Sequence, residues 1–224
     1  MEQQPLTAVD ISSWTCSGDS SEHDRDLVVQ AFARDLCESG FIRICGHGVP
    51  QDVLDRVFKE SRHFFRQPLE HKREAYSQDR ARRGYSDHQS ENYASLMGSR
   101  APNDSVEKYR VGRVLEEGCA QESYYTAKEA RTHFMPNTWP HRLLGFQPAL
   151  EEYYRCMEGL SHTILAILEE ALDLDSGCLC QHMHRHTSIL TLNYFPVEPL
   201  TDERVERIAA HTQNTHHNQD EPTQ

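Results

Sequence analysis

Apolar residues recur along the chain at two periods, and the switches between them mark out its elements. In TAVDISSW, Val9 and Ile11 alternate with polar neighbours as in a short strand, and CSGDSSEHD then breaks the run and offers capping residues for a helix. Across DRDLVVQAFARDLCESG, Leu27, Ala31, Phe32 and Leu36 return at helical spacing, and Gly40 stands where a C-terminal cap glycine belongs. FIRICGHGVP predicts a β-rich run through Phe41, Ile42, Ile44 and Cys45, ended by the glycines around His47 and by Pro50. A second amphipathic helix, QDVLDRVFKESRHFFRQ, places Val53, Leu54, Val57, Phe58, Phe64 and Phe65 on one face.

From Leu69 to Arg113 the pattern loosens into Gly, Ser, Asn and Pro punctuation, which predicts a long ordered loop with short strands, anchored by Tyr76, Tyr85, Tyr93 and Tyr109. The longest helix follows. Its stripe runs through Phe146, Leu150, Tyr153, Met157, Leu160, Ile164, Ile167, Leu168 and Leu172, and it is expected to end near Gly177. TSILTLNYFP reads as a strand stopped by Pro196 and Pro199, and RIAAH as one more short strand before a polar tail.

A chain of 224 residues can bury a sizeable core. Its 23 Lys and Arg against 35 Asp and Glu leave a net charge of −12, which argues against a surface built for nucleic acid or anionic lipid. No window is apolar enough to span a membrane and no leader-like segment opens the chain, so a cytoplasmic protein is expected. The seven cysteines are odd in number and lack a paired CxxC framework, which favours reduced thiols.

Taken in order, VDISSW, GFIRICGHGVP, FKESRHFF, RRGYS, EKYRVGR, PNTWP, the long helix, LNYFP and RIAAHT resemble the isopenicillin-N-synthase-like family of iron(II)- and 2-oxoglutarate-dependent dioxygenases. The resemblance covers residues 7 to 212 and implies an α+β fold: a helical and mixed N-terminal region followed by the first strands of an incomplete double-stranded β-helix, or jelly roll. It implies residues 1–145 as the dioxygenase N-terminal region and 146–185 as the long helix and connector. Residues 186–212 would start the jelly roll, and 213–224 would form a polar tail expected to be disordered.

The resemblance also implies Fe(II) and 2-oxoglutarate as cofactors and a small organic molecule as substrate. In the family pattern two His and one Asp hold the iron, the first His and the Asp falling in an H-T-D run. His211 matches that first His, but Gln213 stands in the place of the Asp, and a neutral amide cannot offset the metal's charge. The expectation is therefore a C-terminally truncated member, inactive alone, with His211 a vestigial iron ligand. Asn193 in NYFP stands where relatives turn polar groups toward 2-oxoglutarate, although the same run is also read as an ordinary strand with an alternating face. The rival readings are a non-catalytic interaction or regulatory protein, self-associating through an exposed sheet edge, and a splice or frameshift product without selected function.

Three further features carry less chemistry. His182, His184 and His186 alternate, so an extended strand would project them to one side, but no carboxylate or Cys completes a metal-binding spacing and a solvated or partly packed cluster is favoured. His47 between two glycines reads as a turn. Glu169 and Glu170 are helix neighbours that do not face each other, and Asp173 and Asp175 read as the polar end of that helix.

Overall fold

The computed structural model describes residues 7–16, 21–77, 83–92, 102–115, 119, 122–131 and 133–196. The expected strand RIAAH, with His211 and Gln213, lies outside the described residues. The described chain is mixed α and β. It opens with β1 (Ala8–Asp10), α1 (Ser12–Thr15), α2 (Glu22–Ser39) and β2 (Arg43–Cys45), and β1 pairs parallel with β2 from Ala8↔Arg43 to Asp10↔Cys45. Ser21 caps α2, its Oγ accepting the Asp24 N–H at 3.1 Å, and Gly40 ends the helix in the left-handed region at φ 73°. The buried stripe of α2 differs from the predicted one. Val28 and Phe32 face inward with Ile11 and Ile167, while Leu27 and Leu36 are exposed, because the neighbour that α2 packs against reaches only one narrow face of it.

After β2 come α3 (Gln51–Phe65), α4 (Leu69–Arg73), β3 (Gly84–Ser86), β4 (Glu107–Gly112), α5 (Ser123–Thr126), α6 (Lys128–Arg131), α7 (Phe146–Ala171), a 3₁₀ turn (Cys180–Arg185) and β5 (Ile189–Tyr194). α7 packs against both α2 and α3. On α3, Val53, Val57, Phe64 and Phe65 are buried as the pattern predicts, whereas Phe58 is left in solvent. α7 stops at Ala171, short of Gly177, because Asp173 turns left-handed at φ 53°.

Strands β3, β4 and β5 form an antiparallel sheet in that order, with Tyr85↔Tyr109 and Tyr109↔Leu192 in register. Alternation gives the sheet two unlike faces. Tyr85, Tyr109, Val111, Leu190, Leu192 and Tyr194 pack on α3 and α7 in the main core. Within it the Phe64 ring meets Tyr85, Tyr109 and Phe146 at centroid distances of 5.7, 4.9 and 4.9 Å. Lys72 and Glu107 are also buried on this side as an ion pair at 2.5 Å, and Tyr85 donates its hydroxyl to the same carboxylate at 2.8 Å, so the buried charge is fully partnered.

Candidate functional site

The opposite face of the sheet is polar. Ser86, Lys108 and Arg110 project from it, and register sets Asn193 opposite Lys108 and Thr191 opposite Arg110. Over this face lies the segment after β3, whose Glu91 accepts from Lys108 Nζ at 2.6 Å and from Arg110 Nη2 at 2.8 Å. Arg110 Nη1 also donates to Ser86 Oγ at 3.3 Å. Burial alone would raise the Glu91 carboxyl's pKa, but the hydrogen bonds and charge of Arg110 and Lys108 outweigh it and hold it at about 2. Asn193 and Thr191 stand beside this cluster on the more open strand, Asn193 exposed and Thr191 half-buried.

The motifs singled out in the sequence build the frame behind this face. Asn137 of PNTWP clamps the end of β4, accepting the Gly112 N–H at 2.8 Å and donating to the Gly112 carbonyl at 2.9 Å. The Tyr109 hydroxyl donates to the Thr138 carbonyl, and Trp139 packs on Tyr109 at 6.2 Å. The RRGYS run supplies Arg83, which donates to the His133 carbonyl and lies across Gly112, where any Cβ would fall on its guanidinium. In GHGV, His47 Nδ1 accepts the Val49 N–H at 3.1 Å, so this histidine closes a turn as expected.

The alternate histidines do not form a strand face. His182 and His184 sit on the 3₁₀ turn and His186 just beyond it, because the Glu169 carboxylate gathers the N–H groups of Gly177, Leu179 and Cys180 at 2.7, 2.7 and 2.9 Å and coils the chain there. Those bonds, led by the ones from Cys180 and Gly177, hold the Glu169 carboxyl below its usual range. His186, whose Nδ1 accepts the Ser188 N–H at 3.4 Å, donates from Nε2 to the Glu158 carboxylate at 2.7 Å, and with His162, His184, Cys180 and Arg113 it lines a cleft of about 610 Å³. This cleft lies at the Gly112–Ile189 end of the sheet, away from Asn193. Among the described residues no group of three His, Cys, Asp or Glu is arranged to hold a metal ion. Among the described residues no disulfide joins the cysteines.

Residues 6–142, more than half of the chain, match the family model described as non-haem dioxygenase in morphine synthesis N-terminal. The chain belongs to the 2-oxoglutarate- and iron(II)-dependent dioxygenases. Among curated relatives of this family it is 30% identical over 203 residues to the 2-oxoglutarate-dependent dioxygenase ucsF of Acremonium sp, covering 84% of this chain and 56% of the relative. It is 33% identical over 145 residues to clavatol oxidase claD of Penicillium crustosum, covering 62% and 43%. The chain thus spans about half the length of the curated dioxygenases it matches. The fold is shared with a 2OG-Fe(II) oxygenase family protein of Caulobacter crescentus (TM-score 0.71, 20% identity, 89% of this chain and 59% of that one). It is shared too with Neurospora crassa T7H solved with alpha-KG (TM-score 0.64, 22% identity, 85% and 54%).

Of the two dioxygenase residues marked in the sequence, Asn193 is on the polar sheet face and His211 lies outside the described residues. Lys108, Arg110 and Glu91 escaped notice. The signal for the first two was present in EKYRVGR, where Lys108 and Arg110 alternate with Tyr109 and Val111 at the strand period. Glu91 carries no such signal, since it reaches the sheet from a loop. No helix among the described residues is long and apolar enough to cross a membrane.

Proposed function

We propose that this chain is part of an enzyme that uses iron(II) and 2-oxoglutarate to hydroxylate or desaturate a small organic molecule. The observation that carries the reading is the position of Asn193, which stands on a polar sheet face with Thr191, Ser86 and Arg110, backed by the apolar core. In agreement, the T7H relative of the fold has been solved with alpha-KG and thymine, a small polar molecule. Asn193 would orient the oxoacid through its carboxamide, and His211 would stand as a vestigial iron ligand. Bound iron would supply the oxidising chemistry, and the polar sheet face around Asn193 would orient the oxoacid beside it.

Residues 1–145 then serve as the outer frame, 146–185 as the helix and connector that back the sheet, and 186–212 as the first strands of the jelly roll, before the 213–224 tail. Gln213 in place of an anionic ligand leaves His211 without its neighbouring carboxylate, so the 224 residues by themselves are expected to be inactive. We place the protein in the cytoplasm and expect weak self-association along the outer edge of β5. Two measurements test the reading. Purified chain with iron(II), ascorbate and 2-oxoglutarate should release no succinate above background, and turnover would refute the inactivity. Titration with 2-oxoglutarate should shift the Asn193 side-chain amide resonances, and their indifference would count against the cofactor role.

A further inference from the structure

The sheet stops at β5 on one side: among the described residues no strand pairs with that outer edge. Edge strands of folded proteins commonly carry a lysine, a proline or a bulge that keeps other strands away. β5 has none of these. Its register with β4 runs uninterrupted from Glu107↔Tyr194 to Gly112↔Ile189, and no charged residue occurs from Thr187 to Val197, although the chain as a whole carries −12. The apolar packing is also unfinished there. Tyr109 and Val111 of β4 are 0% and 1% exposed, whereas Leu190, Leu192 and Tyr194 of β5 are only half-buried and Ile189 is 47% exposed.

Copies of a chain with net charge −12 repel one another, and a neutral strand is where that repulsion is weakest. Resting on the self-association expected above, we propose that β5 pairs antiparallel with β5 of a second copy about a two-fold axis at Leu192, so that the sheet runs on as β3-β4-β5-β5-β4-β3. The side-chain pattern selects this register. A two-fold axis normal to the sheet sets residues of one face opposite residues of the same face, so it must pass through a residue and not between two. Centred on Leu192, the seam sets Leu190 opposite Tyr194 and Leu192 opposite itself on the core side, with Ile189 opposite Phe195 and Thr191 opposite Asn193 on the other. Every apolar residue then meets an apolar one and every polar residue a polar one. Centring on Thr191 would set Ile189 against Asn193, and centring on Asn193 would set Thr191 against Phe195. In the favoured register Thr191 of the second copy stands directly across from Asn193, so the partner contributes a hydroxyl beside the carboxamide proposed to orient the oxoacid. A seam of one strand is small beside the roughly 1,200–2,000 Å² of a standard stable interface, so the pairing is expected to depend on concentration.

The test uses the full chain. Sedimentation velocity over a concentration series is expected to show monomer and dimer in equilibrium. Ile189→Lys puts a charge opposite Phe195 at both ends of the seam and should weaken the dimer at least tenfold, with the far-ultraviolet circular dichroism unchanged. Oxidative crosslinking reads the register. Leu192→Cys meets its own copy at the axis, where Cα atoms of opposed residues lie about 4.5–5.5 Å apart and within disulfide reach. Peptide mapping should therefore find an intermolecular disulfide at position 192 in that variant and none at position 191 in Thr191→Cys, and this map decides the matter if Ile189→Lys fails to fold. A chain that stays monomeric, undiminished association in a folded Ile189→Lys, or a crosslink at position 191 in place of 192 would overturn the proposal. So would exchange protection of the outward β5 amides in the monomer, which would show the edge covered by the chain itself. The cofactor reading fails separately: 2-oxoglutarate should still shift the Asn193 amide signals in monomeric Ile189→Lys. Loss of that shift with the dimer intact removes the cofactor role, and its survival in a chain that never pairs removes only the dimer.

Discussion

Replacing Gly112 with alanine places a methyl group on the Arg83 guanidinium, and the clash has little room to relax because Asn137 fixes the Gly112 backbone from both its N–H and its carbonyl. The expected loss of stability is roughly 1–3 kcal/mol, read from urea unfolding monitored by circular dichroism. Glu91 gives a pH-dependent counterpart. Its folded pKa of about 2 lies below its ordinary value of 4.5, so its contribution to stability is complete above that ordinary value and is lost as pH falls toward 2. Thermal melting from pH 6 downward should therefore show an acid limb that is shallower in Glu91→Gln, and an identical limb in both proteins would contradict the pairing.

Within single elements, the end of α7 illustrates how one side chain organises its surroundings. Glu169 lies in the apolar stripe's last turn, yet it is 3% exposed and supplies the acceptor for three backbone N–H groups of the following turn. Glu169→Gln keeps the size but loses the anion and half of the accepting capacity, and should speed hydrogen exchange at Gly177, Leu179 and Cys180 while leaving β1 and β2 unchanged. The periodic patterns made α2, α3, α7 and β5 legible in the sequence, since each has enough turns or alternations to report its own face. The faces themselves were less legible. Leu27, Leu36 and Phe58 obey helical spacing but stay exposed, and Asp35 is buried instead, because spacing marks which residues share a stripe and only the packing partner decides how wide a stripe is covered. The Glu169 contacts and the 3₁₀ turn of the histidines depend on a loop folding back, which no period encodes. The same is true of Glu91, whereas His211 and Gln213 were conspicuous only through the family pattern.

At the scale of the whole molecule α7 joins two cores. Its first half carries Phe146, Leu150 and Tyr154 against the sheet and α3, and its second half carries Ile167 against α2 and the β1–β2 pair. A helix of this length spans about 39 Å and couples the two clusters mechanically. Phe146→Ala should cost roughly 3–5 kcal/mol. Phe32→Ala, in the other cluster, is expected to move the same unfolding transition, so tryptophan fluorescence and far-ultraviolet circular dichroism should still report one coincident midpoint in both variants. Separate midpoints would mean that the two halves unfold independently.

The central sheet divides two kinds of demand between its sides. Tyr85, Tyr109, Val111, Leu190 and Leu192 answer to packing, while Ser86, Arg110, Thr191 and Asn193 answer to what lies in front of them. Because adjacent residues on one strand belong to opposite sides, exchanging Thr191 or Asn193 leaves every ring of the core in place. A lineage built on this sheet can try new chemical preferences one alternate residue at a time, with the folded state insulated from the experiment.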